Sequence, residues 1–121
     1  MTMLTKQKAY FKKVAKRRSY APSKFLRDAY KHFNRLYFKG KLPQDLTIGW
    51  ASDRTLGGDM GWAFGNNILI NKRLTEWSLV ALQTVLHEMC HISKPSDDGH
   101  GKQFTKELKR LIRAGAFDPL L

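Results

Sequence analysis

His87-Glu88-Met89-Cys90-His91, followed after a short polar stretch by Gly99-His100-Gly101, is the part of this 121-residue chain whose reading decides the rest. Two histidines four residues apart on a helix share one face, a turn from each other. Both imidazoles then reach one metal ion at roughly 2.0–2.1 Å, a distance that suits zinc. Glu88, rotated by about 100° from His87, does not join them easily; it is placed to take a proton from a water in an open coordination position. That is the mechanical content of an HExxH pattern. The residues leading in predict a buried helix, because Leu79, Val80, Leu82, Val85 and Leu86 form an apolar stripe of helical period. Thr75 is its expected N-cap, with Glu76 in the first turn. Pro95 disfavours helical geometry at Lys94, so the helix should end within a turn of His91. Ser96-Asp97-Asp98-Gly99 then reads as a turn that sends the chain back and delivers His100 as a third ligand. Two solvent-facing histidines and an unrelated third are the plain alternative, but three of the four histidines in the chain fall within this one constellation.

His87-Glu88-Met89-Cys90-His91 with Gly99-His100-Gly101-Lys102-Gln103-Phe104 resembles the HExxH…GHGxxF signature of the SprT-like metalloproteases. Upstream, Phe38–Pro43, Gly61-Trp62-Ala63 and Ile68–Leu74 resemble the family's segments in the same order, so the likeness runs over roughly residues 24 to 113. It implies that His87, His91 and His100 hold one Zn2+ and that Glu88 is the catalytic base. It also implies an α+β, zincin-like metalloprotease domain, with a small three-stranded sheet packed on the HExxH helix and flanking helices. The substrate class it implies is protein bound or crosslinked to DNA. Metzincins fit less well, since their third histidine comes sooner and no methionine follows Met89 here.

Composition bounds the remainder. At this length the chain is one domain with room for a core, and 42% hydrophobic residues fit an ordinary globular protein. No apolar run approaches a membrane span, and the N-terminus has no signal-peptide core. The single cysteine rules out an intrachain disulfide, so the expected compartment is the cytoplasm. The net charge is +12, and it is polarised: residues 1–40 hold twelve Lys/Arg against one acid, the other 81 hold ten against nine. Such a surface attracts phosphates. DNA is therefore an expected partner through the basic first third, with Lys12, Lys13, Lys16, Arg17, Arg18, Arg27, Lys31 and Arg35 as contacts.

In chain order, residues 1–22 form a basic N-terminal segment, in which Thr5 to Arg18 reads as a basic helix or an arm that orders on a polyanion. Residues 23–121 form the catalytic domain. Ser23 is an N-cap, Lys24 to Lys39 a helix with Phe25, Ala29, Phe33 and Leu36 on its apolar line, and Gly40 its close. Leu46–Ser52, Gly57–Phe64 and Asn67–Asn71 read as strands, the last two joined through Gly65-Asn66. An edge strand at Met60, Gly61, Trp62 and Ala63 would pair with an extended peptide substrate. Trp50, Trp62, Phe64 and Trp77 pack in a core or groove, or stack on bases. Lys102–Arg113 is a last helix, with Phe104, Leu108, Leu111 and Ile112 inward and Lys106, Lys109, Arg110 and Arg113 outward. Cys90 reads as a buried small side chain, Asp97 and Asp98 as acceptors for a ligand imidazole or a solvated turn, and Glu107 as the fallback third ligand. A zinc nuclease, or a non-catalytic DNA-binding module with structural zinc, are the rival readings.

Overall fold

The computed structural model describes residues 20–95 and 100–121. The basic helix expected at Thr5–Arg18, with Lys12, Lys13, Lys16, Arg17 and Arg18, lies outside them, as does the turn at 96–99.

Helix α1 spans Lys24–Tyr37, and its N-cap Ser23 accepts from the Leu26 amide at 3.2 Å. It ends two residues before the expected Lys39, with Phe38 as C-cap; Lys39 and Gly40 then take φ of 55° and 69° and turn the chain away. Its inward face is Leu26, Tyr30, Phe33 and Asn34, whereas Phe25 and Leu36, expected inside, are about half exposed. Asn34 is the reason for the rotation. Its amide donates to the Leu42 carbonyl and accepts from the Leu42 N–H, both at 3.1 Å, so a polar residue faces inward and pins the returning loop. Tyr30 adds a second tie, its hydroxyl donating to the Pro43 carbonyl at 2.6 Å.

The sheet has four strands where three were expected: β1 (Tyr20–Pro22), β2 (Thr47–Ala51), β3 (Gly61–Phe64) and β4 (Asn67–Asn71), in the spatial order β1-β2-β4-β3. Three residues ending in proline carry no alternation to read, and proline is tolerated in β1 because that strand lies at the sheet edge. The sheet thus begins inside residues 1–22. β1 pairs antiparallel with β2, β2 parallel with β4 (Ile48 opposite Ile68), and β3 antiparallel with β4 (Trp62 opposite Leu69). β3 starts later than Gly57 because Asp53–Leu56 wind into a helical turn, α2, capped by Ser52. Gly57 and Gly58, both at positive φ, follow it and steer the chain into the strand.

Ile48, Ile68 and Ile70 line the face that meets helix α3 (Ser78–Ser93), against Val85, Leu86 and Met89. On the opposite face Ala51, Leu56 and Leu69 form a second cluster covered by Trp62 and Phe64. Trp50 is half-buried and stacks parallel to Phe25 with centroids 6.5 Å apart; Trp77 stays exposed. α3 starts three residues beyond the expected Thr75 cap, because Lys72–Glu76 form a 3-10 turn in which the Thr75 hydroxyl donates to the Lys72 carbonyl. Its buried residues, from Ala81 through Cys90, lie on nearly every side, as befits a helix enclosed by the sheet, α1 and helix α4 (Lys102–Arg113). It closes at Lys94, just before Pro95, as expected. α4 buries Phe104, Glu107 and Leu111, while Ile112 points out, and Arg110 turns back over the Phe38 ring. Among the described residues no helix is long and apolar enough to cross a membrane.

Burial, with the charge of Asp45 added, pushes the Tyr30 phenol up to about 12 despite nearby Arg27. A raised folded-state pKa means stability that is fully present below the ordinary value near 10 and lost as pH climbs towards 12. Tyr30→Phe should therefore cost on the order of 1 kcal/mol at pH 8, through the lost hydrogen bond. That deficit should shrink by pH 11 in denaturant titrations; a constant difference would refute the assignment.

Candidate metal centre

Helix α3 supplies two imidazoles from successive turns, with ring centroids of His87 and His91 5.2 Å apart. His100 arrives from outside any helix, one residue before Gly101, the N-cap of α4. Its Nε2 lies 3.1 Å from Nε2 of His87, and its ring is 5.2 Å from that of His91. One ligand nitrogen from each of the three lies within 4.8 Å of the others. Two nitrogens bound tetrahedrally at 2.0–2.1 Å sit roughly 3.3 Å apart, so the His87–His100 spacing already suits a shared ion. His87 and His91 are half-buried and His100 is exposed, which leaves the cluster open on one side.

The donor set also fits zinc chemically. Burial, aided by the charge of His100, lowers the His87 pKa and favours the neutral, ligating imidazole. Phe104, buried on the first turn of α4, forms the floor: its ring stacks on His91 at 4.3 Å and meets His100 and His87 at 4.6 and 5.0 Å. Phe104, expected on the inward side of the last helix, thus packs against all three imidazoles.

Glu88 leaves α3 towards β3 and is only 5% exposed. Burial and then the negative charge of Asp59 push its carboxyl up to about 8; a cation at the imidazoles acts in the opposite sense. The close approach of β3 depends on Gly61. A Cβ there would come within 3.0 Å of Thr84 Cγ2, 3.1 Å of the Leu69 carbonyl oxygen and 3.2 Å of Glu88 Cγ. Of the expected edge residues, Gly61, Trp62 and Ala63 lie in β3, the last strand of the sheet; Met60 precedes it, its carbonyl accepting from the Asn71 N–H at 2.8 Å.

Asn71 was not singled out by sequence reasoning, and it organises the approach to β3. Fully buried, its amide donates to Asp53 Oδ1 at 2.8 Å and the Asp59 carbonyl at 3.0 Å, and accepts from the Arg73 N–H at 2.9 Å. Asp59, held in that turn, accepts from the Trp62 indole at 2.8 Å.

Other candidates stay apart from the ligand cluster. Cys90 is buried, its thiol pushed up to about 12 by burial and then by Glu107. Glu107, the fallback ligand, accepts instead from Ser93 Oγ and Arg110 Nε. Burial alone would raise its pKa, but those bonds and the positive charges of Arg110 and Lys94 hold it below the ordinary value. Arg27, Lys31 and Arg35 lie along α1, with Arg35 against His32 at 3.4 Å.

A helix-borne HExxH with a third histidine from a following loop belongs to metallopeptidase-type hydrolases. The model of the SprT-like family matches residues 26–118, from α1 through α4, and the chain belongs to that family. No curated protein and no solved structure gives a significant match to the chain.

The purified protein is expected to retain one equivalent of zinc through gel filtration, and His91→Ala to lose it. Elemental analysis checks this; an unchanged metal content in the variant would remove His91 from the ligand set.

Proposed function

We propose that this chain is a zinc-dependent endopeptidase that cuts proteins associated with or crosslinked to DNA. The observation that carries the reading is the convergence of three imidazoles beside a buried carboxylate, with a sheet-edge strand against that carboxylate. His87, His91 and His100 would hold the ion. Zinc bound there supplies a Lewis-acid charge that acidifies a water molecule and polarises a carbonyl. Glu88 takes the proton from the attacking water and returns it to the leaving amine. β3 pairs with an extended substrate through main-chain hydrogen bonds, which makes little demand on sequence and sets the scissile bond alongside Glu88.

DNA is the proposed tether. Arg27, Lys31 and Arg35 recur at four-residue spacing on α1. A second cationic line follows α4, where Lys102, Lys106, Lys109 and Arg113 border a groove of about 500 Å³ that begins at His100. Holding DNA there raises the local concentration of any protein attached to it. The same groove supports a second reading, a zinc nuclease, because it brings phosphates close to the metal ligands.

Incubation with casein, with a DNA-bound protein and with labelled nucleic acid, each with and without chelator, separates the two. Chelator-sensitive proteolysis stimulated by DNA is expected; phosphodiester cleavage alone would replace the protease with the nuclease. Glu88→Gln should keep its zinc and lose about 10²–10⁴-fold in turnover. Full turnover in a zinc-loaded Glu88→Gln protein would end the proposal.

Gly61→Ala tests the packing of β3 on the base. The added methyl should destabilise the fold by about 1–3 kcal/mol and lower kcat with zinc content unchanged. A variant with wild-type kcat would show that this approach has no bearing on Glu88.

A further inference from the structure

We infer that Glu107 is a positioning residue for the metal centre: with Ser93 it forms a latch that fixes α4 against α3 and so places His100. The inference rests on reading His87, His91 and His100 as a metal site. His100 is exposed and belongs to no helix, and its neighbour Gly101 caps α4 without a side-chain hydrogen bond. Its position relative to His87 and His91 therefore depends on where α4 starts.

Among the described residues, two contacts between α3 and α4 lie nearest that start. One is the Phe104 ring against all three imidazoles. Such ring contacts, one stacked, one tilted and one edge-on, are individually weak and define position less sharply than a hydrogen bond to a charged group. The other is directional. Glu107 lies three residues beyond Phe104, on the same face of α4, and is only 7% exposed. It accepts a hydrogen bond from Ser93 Oγ, and Ser93 is the last residue of α3, two beyond His91. Arg110 on the next turn bonds the other carboxylate oxygen, and its guanidinium lies 5.4 Å from the centre of the Phe38 ring. A buried carboxylate is costly unless paired and hydrogen-bonded, and these partners satisfy both of its oxygens. The latch thus ties the end of the helix that carries two ligands to the body of the helix that follows the third. Over the five residues from Lys102 to Glu107 the helix advances about 7.5 Å, short enough to act as a rigid arm.

Both oxygens are engaged in the latch, so Glu107 acts through His100 without touching the ion. Affinity for Zn2+ by chelator competition, and the visible spectrum of the Co2+-substituted protein, test this on the full chain. Ser93→Ala and Glu107→Gln are each expected to weaken metal binding, by about 10-fold for loss of an outer partner. The double variant should be little worse than the worse single one, because one latch is being broken. Asn34→Ala, which unties Leu42 on α1, should lower Tm and leave metal affinity alone. Wild-type affinity in both single variants would overturn the latch while leaving the metal site standing. A Co2+ spectrum altered by Glu107→Gln in the manner of a lost ligand would overturn it too, by making Glu107 a ligand. A wild-type protein that binds neither ion would remove the metal site and the latch together.

Discussion

Helix α3 must be buried on nearly every side and still present two imidazoles and a carboxylate at one opening, and the rest of the molecule answers to that demand. The sheet covers it through Ile48, Ile68 and Ile70, α1 through Leu26, Tyr30 and Phe33, and α4 through Phe104 and Leu111. Among the described residues, the side left uncovered is the one where His87 and His91 look towards His100. Glu88 comes from the same turn and points to the sheet, where burial alone would leave it protonated. The glycine at position 61 reconciles these requirements: the strand lies so close to α3 that a Cβ there would press to 3.0 Å on Thr84 and 3.2 Å on Glu88.

Much of this was legible because it is local. The four-residue spacing of His87 and His91 fixes their common face through helix geometry alone, and Pro95 ends the helix by a clash within two residues. The hairpin of β3 and β4 follows from apolar runs around Gly65-Asn66. The third histidine of the cluster was legible as part of a motif, and Phe104 with it. The pairing of β2 with β4 was harder to see, since parallel neighbours are joined through α2 and β3 and leave no short-range trace.

The misreadings share a cause. On α1 and α4 the inward face was taken to be the apolar one, which put Phe25, Leu36 and Ile112 inside. The structure instead buries Asn34 and Glu107 and leaves those three partly in water. A polar side chain earns an interior position by finding partners on another segment, Leu42 for Asn34 and Ser93 for Glu107. Those partners are 8 and 14 residues away, beyond the reach of any helical or strand period. Asn71 escaped notice for the same reason, its bonds reaching Asp53 and Asp59 across a turn.

Charge follows a different logic from packing. The charge count places the expected basic surface on the first third of the chain, with Lys102, Lys106 and Arg110 of the last helix as further expected contacts. Within the folded domain a second line of cations is made by α4, where Lys102, Lys106, Lys109 and Arg113 fall on one side because their spacings of four, three and four follow the helical repeat. Arg110, counted with them in the sequence, is withdrawn by Glu107 and Phe38. Its removal separates two tasks within one helix. The inward side, Phe104 and Glu107, faces the histidine rings and the end of α3, and the outward side presents Lys102, Lys106, Lys109 and Arg113 up to His100. A polyanion drawn to that outer side would meet the histidine cluster at its exposed member, His100, without passing the strand that would hold a peptide.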